Sequence, residues 1–267
     1  MTACEKCEAV VGAVLRDLSR TINEQPGWLQ IIRFAGYVGW VSVFGADHAR
    51  VGVSKGWHLA GCGDPEKKSA LKGVWPYWMR KEVGIGNDVD FDKMVVLTAP
   101  NMSGKSTVMR ASAAAALLTM CGLFSPTRKG SHVKNYNTVF FRGASSDVPS
   151  EGKSAFGKEC EDVSEMFLEC DEESLVFIDE LGRGTSPKDG TALAGAVLEG
   201  MCDRGFSGFF ATHLHGILEL DINPTARDRT RNMRMGVEEN GDNEVEWTYG
   251  LEDGVSKDSL ALVTAKR

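Results

Sequence analysis

The sequence predicts an α/β protein whose core is a mostly parallel β-sheet, preceded by a short helical segment. Three short apolar runs support this prediction, because each has the length and composition of a buried strand: Met94 to Thr98, Leu175 to Ile178 and Gly208 to Thr212. Segments with helical periodicity separate these runs, and strands that alternate with helices form a parallel sheet with both faces covered. The 267 residues suffice for one large domain and a small attachment.

The region before the first buried strand is predicted to be mostly helical. Apolar residues at helical spacing predict a helix within residues 1–24, and a Pro-Gly pair then breaks the pattern. The apolar segment from Trp28 to Phe44 is predicted as a second helix, and residues 45–75 as a Gly-rich, irregular stretch. We therefore divide the chain into a helical connector, residues 1–70, and a main domain, residues 71–267.

Besides its three buried strands, the main domain is predicted to contain five further elements. Helices are expected from Lys105 to Cys121, from Ser154 to Cys170 and from Thr191 to Cys202. The run from Val139 to Phe141 is a predicted strand. Residues 231–250 are predicted to form a β-hairpin around an Asn-Gly turn.

Composition limits the classes of protein to consider. A formal net charge of −7 predicts weak DNA binding by this chain alone, because proteins bind DNA phosphates mainly through Lys and Arg side chains. Seven cysteines follow no disulfide framework, which favours a reducing compartment. For the Cys4-x-x-Cys7 pair we favour two cysteines on a helix, with the start of a zinc site as the alternative.

Neither a membrane nor a specific compartment is indicated. No apolar stretch approaches the ~20 residues that a membrane helix needs, so no membrane partner is expected. The first residues lack the pattern of a signal or transit peptide. We therefore expect an intracellular protein, with mitochondrion, plastid and nucleus all left open.

A phosphate-binding loop is the strongest motif in the sequence. The loop lies directly after a predicted strand and opens a predicted helix, and its residues are the predicted nucleotide-binding site: Ala99, Pro100, Asn101, Met102, Ser103, Gly104, Lys105, Ser106 and Thr107. Backbone N–H groups at the helix start are expected to surround the β-phosphate. Lys105 is expected to reach the β- and γ-phosphates, and the Ser106 hydroxyl to bind Mg²⁺. Ala99 and Ser103 stand where many such loops have glycine, and alanine is tolerated if φ stays negative.

Two further buried strands end in residues suited to catalysis. Asp179 and Glu180 follow one strand, at the sheet edge where ligands of open α/β sheets bind. Asp179 is expected to hold Mg²⁺ through water, and Glu180 to polarise the attacking water. His213 follows the next strand, where it can contact the γ-phosphate or that water. Its neighbour His215 is interpreted as structural.

Taken together, these motifs resemble the MutS family of DNA mismatch-repair proteins. Thr98–Thr107 is similar to the family's Thr-Gly-Pro-Asn-Met-Gly-Gly-Lys-Ser-Thr loop. Asp179–Ser186 matches its Asp-Glu-Ile-Gly-Arg-Gly-Thr-Ser element, and Ala211–His213 its Ala-Thr-His element. Gly152–Phe156 is similar to its Gly-x-Ser-Thr-Phe segment. The agreement runs from about Gly73 to Lys266.

Within the family, three segments are most similar to the plant-type organellar homologue: Gly73–Trp78, Thr212–Gly216 and Asp258–Arg267. The resemblance implies an ABC-type P-loop ATPase that acts as a homodimer or a heterodimer within the family. Ser154 matches the serine that approaches the γ-phosphate of the partner subunit, and Asn101 the loop asparagine beside the nucleotide. Residues 1–70 then correspond to the end of a lever that couples ATP hydrolysis to DNA binding.

The resemblance also implies a function and its limits. ATP and Mg²⁺ are the implied cofactors, and mismatched duplex DNA the implied partner, bound mainly by mismatch-reading and clamp domains that we do not find in these 267 residues. The C-terminal helix-turn-helix that assists dimerisation is likewise not found, so we expect a weakened dimer. Ala99 and Ser103 are expected to loosen nucleotide binding.

Two functions from different classes remain open from the sequence. The leading hypothesis is an ATPase that serves mismatch recognition, supported by the Asp179–Glu180 pair. The alternative is a catalytically weak nucleotide-binding module that docks on a full-length partner. A transporter-type ABC ATPase is disfavoured, because no Leu-Ser-Gly-Gly element precedes the Asp179 strand. A P-loop kinase is disfavoured because no acceptor-binding lid is found.

Overall fold

The computed structural model describes residues 11–17, 19–20, 27–100, 102–143, 155–240 and 244–256. The chain divides into two compact units, Met1–Val51 and Gly52–Arg267. The α-helices are α1 (Trp28–Ser54), α2 (Lys105–Met120), α3 (Ala155–Glu169), α4 (Pro187–Asp203) and α5 (Pro224–Arg229), with a 3-10 turn at His215–Glu219. The strands are β1 (His58–Leu59), β2 (Gly61–Cys62), β3 (Ala70–Val74), β4 (Asn87–Asp90), β5 (Met94–Thr98), β6 (Phe124–Ser125), β7 (His132–Val133), β8 (Thr138–Arg142), β9 (Ser174–Asp179), β10 (Ser207–Thr212), β11 (Thr230–Asn240) and β12 (Glu244–Asp253).

The described part of the first unit is almost entirely helical, as the sequence predicts. Residues 11–17 are helical, and α1 begins directly after Gly27. The predicted irregularity of residues 45–75 is wrong, because α1 continues to Ser54 and three strands follow. Gly45 and Gly52 are isolated among residues that tolerate a helix, and a single glycine costs only about 1 kcal/mol there. The assignment of residues 1–70 to a lever stays a prediction.

The second unit is built on a six-stranded mixed sheet with the order β12-β11-β5-β10-β9-β8. Every neighbouring pair from β11 to β8 is parallel, and only the β11–β12 hairpin is antiparallel. The predicted α/β fold with a mostly parallel sheet is therefore confirmed. The predicted hairpin is confirmed in its two strands, and its Asn-Gly turn reaches residues outside the described ranges.

Alternating side chains of the central strands fill two cores. On β9, Leu175 and Phe177 face a core that includes Met109 and Ala115 of α2. Val176 and Ile178 belong to the other core, which includes residues of α3 and α4. All six residues of β9 are buried. A strand with helices packed on both faces exposes neither face to water, so side chains on both faces are apolar. This explains why β5, β9 and β10 are nearly continuous apolar runs.

The predicted helices are confirmed with small shifts at their ends. α2 ends at Met120, and Gly122 follows with a φ of +69°. α4 begins earlier than the predicted Thr191, because Ser186 caps it and Pro187 occupies its first turn. The Ser186 hydroxyl accepts the N–H of Asp189 at 3.2 Å.

A second, four-stranded sheet with the order β2-β7-β3-β4 was not predicted. Two of its strands have two residues each, which is too short to produce a periodic pattern. One of its residues reaches the main sheet: the Asn87 side chain donates to the Tyr249 carbonyl at 3.1 Å and accepts the Leu251 N–H at 2.6 Å. This clamp ties β12 of the main sheet to β4 of the smaller sheet.

The parallel strands place the predicted site residues at one edge of the sheet. β5, β9 and β10 run in the same direction and end at Thr98, Asp179 and Thr212. The segments that carry Lys105, Glu180 and His213 therefore leave the sheet at the same edge. Among the described residues, no helix combines the length and apolarity needed to cross a membrane.

Candidate functional site

The loop between β5 and α2 leaves the amino end of a helix open to an anion. Gly104 caps α2 with a φ of +97° and offers no side chain to the helix N–H groups. Met102 also has positive φ, at +67°, whereas Ala99 and Ser103 do not. The condition under which alanine is tolerated at position 99 is therefore met. Uncapped N–H groups and the helix dipole together favour a bound phosphate.

Side chains of the loop bind its own carbonyl groups. The Lys105 ammonium donates to the Ala99 carbonyl at 2.8 Å, and lies 3.5 Å from the Pro100 carbonyl. The Ser103 hydroxyl donates to the same Pro100 carbonyl at 2.7 Å, and Ser103 is buried. Ser103 thus uses its extra atoms to tie the loop together. Burial lowers the pKa of Lys105, and the nearby Glu180 carboxylate opposes that shift.

Glu180 comes directly after β9 and adopts a strained backbone. Its φ is +58°, and its N–H donates to the Ala211 carbonyl at the end of β10 at 3.0 Å. Its carboxylate lies 3.5 Å from the Lys105 ammonium and 2.7 Å from the Arg183 guanidinium. The structure therefore brings Lys105 and Glu180 together, although 75 positions separate them in the chain. A backbone in this region is uncommon outside glycine and recurs at functional sites.

Asp179 and His213 each present a buried polar atom that has no hydrogen-bond partner among the described residues. These atoms are Oδ1 of Asp179 and Nδ1 of His213. An orphaned carboxylate oxygen fits a site for a hydrated cation, because buried polar atoms are otherwise nearly always paired. Burial lowers the pKa of His213, with Arg183 and Lys105 assisting and Glu180 opposing. The lowered pKa favours the neutral form of the imidazole.

A cavity of about 520 Å³ opens beside the loop. Its lining includes the polar residues Lys105, Ser106 and Glu180 and the residues Ile85, Met102 and Tyr249. Most of the lining residues are apolar, as in most small-molecule sites, and the volume is in their usual range.

Tyr249 is a site residue that the sequence analysis missed. Its φ is +53°, and it is partly exposed beside the loop. A Cβ atom at Gly104 would lie 3.1 Å from the Tyr249 ring, so a side chain there would require a small shift of that ring in addition to adopting the unfavourable positive φ. Tyrosine is common in hairpin strands, and no local pattern marks this one. Only the clamp from Asn87 and the sheet order place it at the loop.

After Glu180 the chain passes close to α4. A Cβ atom at Gly182 would lie 2.8 Å from the Gly190 carbonyl oxygen, and one at Gly190 would lie 2.5 Å from that of Gly182. Two backbones therefore touch at a pair of glycines. This contact fixes the segment that follows the Glu180 turn against the first turns of α4.

Two predicted site residues, Asn101 and Ser154, lie outside the described residues. The helix α3 begins at Ala155, directly after Ser154. Pro100 lies in the loop, Ser106 and Thr107 lie in the first turn of α2, and His215 opens the 3-10 turn that follows β10. Nδ1 of His215 is also buried without a hydrogen-bond partner in the described part of the chain.

The family model of MutS domain V matches residues 95–267, which include the loop, Asp179, Glu180 and His213. The chain belongs to the MutS family. The match begins at the second residue of β5 and so covers all of the six-stranded sheet except Met94. The family predicted from the sequence motifs is therefore confirmed.

Individual MutS relatives agree with this assignment. The mitochondrial DNA mismatch repair protein MSH1 of Arabidopsis thaliana is 34% identical over an alignment 278 positions long. The alignment covers 99% of this chain and 24% of that protein. The MutS proteins of Thermotoga petrophila and Thermus aquaticus are each 35% identical, over 68% and 72% of this chain and 23% of their own length. The match to MSH1 confirms the similarity to the plant organellar type. The chain spans about a quarter of the length of these MutS relatives.

Proposed function

We propose that this chain is a P-loop ATPase domain of the ABC type, which binds ATP with Mg²⁺ and hydrolyses it to drive mismatch recognition by a MutS-type protein. The observation that carries the proposal is the meeting of Lys105 and Glu180, 3.5 Å apart, beside the open amino end of α2. A phosphate-binding cation and a candidate base for water thus share one edge of the sheet. The membership of the MutS family supports the same conclusion.

The triphosphate is proposed to bind along the loop from Ala99 to Thr107. The first N–H groups of α2 bind its β-phosphate, and Lys105 exchanges the Ala99 carbonyl for oxygens of the β- and γ-phosphates. The base then occupies the apolar part of the cavity, where the Tyr249 ring can stack on it. This arrangement uses both the charged and the apolar walls.

The residues present fit a magnesium ion. Ser106 would bind it through its hydroxyl and Asp179 through water, and the unpartnered Oδ1 of Asp179 supports this role. When bound, Mg²⁺ neutralises charge on the β- and γ-phosphate oxygens. Glu180 would orient the attacking water and accept its proton. The neutral imidazole of His213 can donate a hydrogen bond to a γ-phosphate oxygen or accept one from that water.

Partners are proposed from the family alone. The chain would act as a homodimer or a heterodimer, with Ser154 of one subunit completing the site of the other. Mismatched DNA would be bound mainly by parts of the protein beyond these 267 residues, in keeping with the net charge of −7. The sequence leaves the compartment open, and the similarity to a mitochondrial relative makes an organelle the first place to look.

A second candidate function is a nucleotide-binding interaction module with little turnover. The observation that favours it is the state of Glu180, whose carboxylate is paired with both Arg183 and Lys105. A carboxylate whose two oxygens each contact a cation is not free to accept a hydrogen bond from the attacking water until one of the cations moves to the nucleotide. In this case the module would bind ATP and dock on a full-length partner.

ATP turnover per molecule, measured against protein concentration, separates these functions. Glu180→Gln serves as the blank, and Glu165→Gln, on the exposed side of α3, as the matched control. An ATPase with sites completed by dimerisation gives turnover that rises with concentration, disappears in Glu180→Gln and persists in Glu165→Gln. ATP binding without turnover supports the interaction module. Turnover that Glu180→Gln leaves unchanged contradicts the catalytic assignment.

A further inference from the structure

A buried cluster of charged side chains lies under the turn that carries Glu180. Arg142, the last residue of β8, has a side chain only 2% exposed. Its guanidinium lies 3.3 Å from the Glu159 carboxylate and 3.3 Å from that of Asp162. Glu159 is fully buried, and Asp162 is half-buried one turn later on α3. Charges are rarely buried unless they are paired, so this cluster is a specific structure rather than a surface contact.

The cluster holds the backbone on both sides of Glu180. Nη1 of Arg142 lies 3.4 Å from the carbonyl oxygens of Asp179 and Glu180, to which it donates. The Glu159 carboxylate accepts the Gly182 N–H at 3.0 Å. The Arg142 and Glu159 side chains therefore fix the peptide groups that flank Glu180 and lead to Gly182. Glu180 needs such support, because its positive φ is unfavourable for a residue with a side chain.

The start of α3 also touches the segment after the turn. A Cβ atom at Gly184 would lie 2.7 Å from the Phe156 nitrogen, which belongs to the first turn of α3. The helix therefore contacts this segment at two points, through the Phe156 backbone and through the Glu159 side chain. The orientation of Glu180 depends on where α3 lies.

We propose that Arg142 and Glu159 are positioning residues, which hold the Glu180 turn in the orientation needed for attack of water on the γ-phosphate. The inference rests on the proposed ATPase function and adds two residues to it. Neither side chain touches the nucleotide; they act through the carbonyl groups of Asp179 and Glu180 and the N–H of Gly182. Their loss should slow the chemical step and leave ATP binding almost intact, because the loop from Ala99 to Thr107 is held by its own contacts.

Glu159→Gln is the first test, because it keeps an oxygen for the Gly182 N–H and removes the charge that pairs with Arg142. We expect kcat to fall on the order of tenfold or more, since small misplacements of a reacting group are costly in rate. KM and the ATP dissociation constant should stay within about twofold of the wild type. Glu165→Gln, the same change at an exposed position of α3, should alter neither constant.

A double variant guards against simple loss of folding. Arg142→Met with Glu159→Leu removes both charges, leaves no unpaired partner between them and fills the space with apolar atoms, which is often tolerated. We expect this protein to bind ATP like the wild type and to have lost turnover. Wild-type turnover in the double variant would overturn the inference. A fall in kcat that is matched by an equal loss of ATP affinity would also overturn it, because it would indicate a merely structural role.

Amide exchange separates this inference from the ATPase proposal. The proposed function fails if the wild type has no ATP turnover, or has turnover that Glu180→Gln does not abolish. In that case, amide exchange at the Gly182 N–H still tests whether Glu159 holds the Glu180 turn. Faster exchange at Gly182 in Glu159→Ala, with α3 still protected, supports the contact. Unchanged exchange at Gly182 overturns it.

Discussion

The two halves of the candidate site are held in different ways. The loop half is fixed by neighbours in sequence: Ser103 binds the Pro100 carbonyl and Lys105 the Ala99 carbonyl. The carboxylate half is fixed from a distance, since Arg142 reaches Glu180 from a strand 38 positions earlier. The loop half therefore depends on local backbone geometry, and the carboxylate half on the assembly of the whole sheet.

This difference predicts two kinds of failure. A change in the loop half should impair nucleotide binding and spare the fold. A change in the supports of the carboxylate half should lower the stability of the protein, because those supports are buried charges. The following variants test that division, beginning with the largest expected effect.

Arg142→Ala should destabilise the second unit by about 3 to 5 kcal/mol, because it breaks a buried ion pair with Glu159 by removing one partner. Urea unfolding measures the change in the free energy of unfolding. Arg231→Ala is the control, since its ion pair with Asp253 is exposed and should contribute less than about 1 kcal/mol. Equal effects of the two substitutions on the free energy of unfolding would contradict the prediction, because they would mean that burial does not make the Arg142 ion pair more important for stability than an exposed one.

Lys105→Ala should weaken ATP binding on the order of 100-fold, because the phosphates lose a charged donor. The free energy of unfolding should not fall, since burial already opposes the charged form of Lys105. Isothermal titration calorimetry measures the binding, and Lys129→Ala, at an exposed position, is the control. Nucleotide affinity equal to that of the wild type would refute the assignment of the loop.

Gly104→Ala should cost about 1 to 2 kcal/mol in stability for its positive φ, and should also weaken ATP binding. Gly122→Ala is a matched control, because Gly122 has positive φ at the other end of α2 and no atom within 4 Å of its would-be Cβ. We expect the two variants to have similar free energies of unfolding, and only Gly104→Ala to lose affinity for ATP. Loss of affinity in both variants would point to α2 as a whole.

His213→Gln should have the smallest effect and should appear only in acid. The pKa of His213 is lowered in the folded protein, so its contribution to stability is complete above about pH 6.5 and is lost as pH falls toward the folded pKa. Urea unfolding between pH 5.5 and 8 should therefore show a shallower acid decline in the variant. Any difference at pH 8 reports lost packing, and parallel curves would count against the shifted pKa.

The parts of the fold that were predicted correctly are those set by local sequence. Buried strands such as Leu175 to Ile178 must be apolar on both faces, and Gly104 fits the positive φ of the turn before α2. The nucleotide-binding role of the loop and of Lys105 stays a prediction. The roles of Arg142 and Glu159 could not be predicted, because a buried ion pair and a surface one look alike in sequence. Tyr249 reaches the loop only through pairing of β11 with β5 and the clamp from Asn87.

The errors have two origins, one local and one long-range. The stretch from residue 45 was interpreted as irregular from its glycines, yet the residues between Gly45 and Gly52 favour a helix strongly enough to continue α1. The strands β1, β2, β6 and β7 have two residues each and exist only as partners of distant segments. The trans-acting role of Ser154 lies outside the described residues and stays a prediction.

The contact between Gly182 and Gly190 has a consequence for genetics. Each glycine excludes a side chain from the other through a main-chain oxygen, and no substitution removes a main-chain oxygen. A defect caused by alanine at either position therefore has no compensating change at the other. In a search for second-site suppressors, rescue should come from segments that shift α4 or the Glu180 turn as a body, and never from the facing residue.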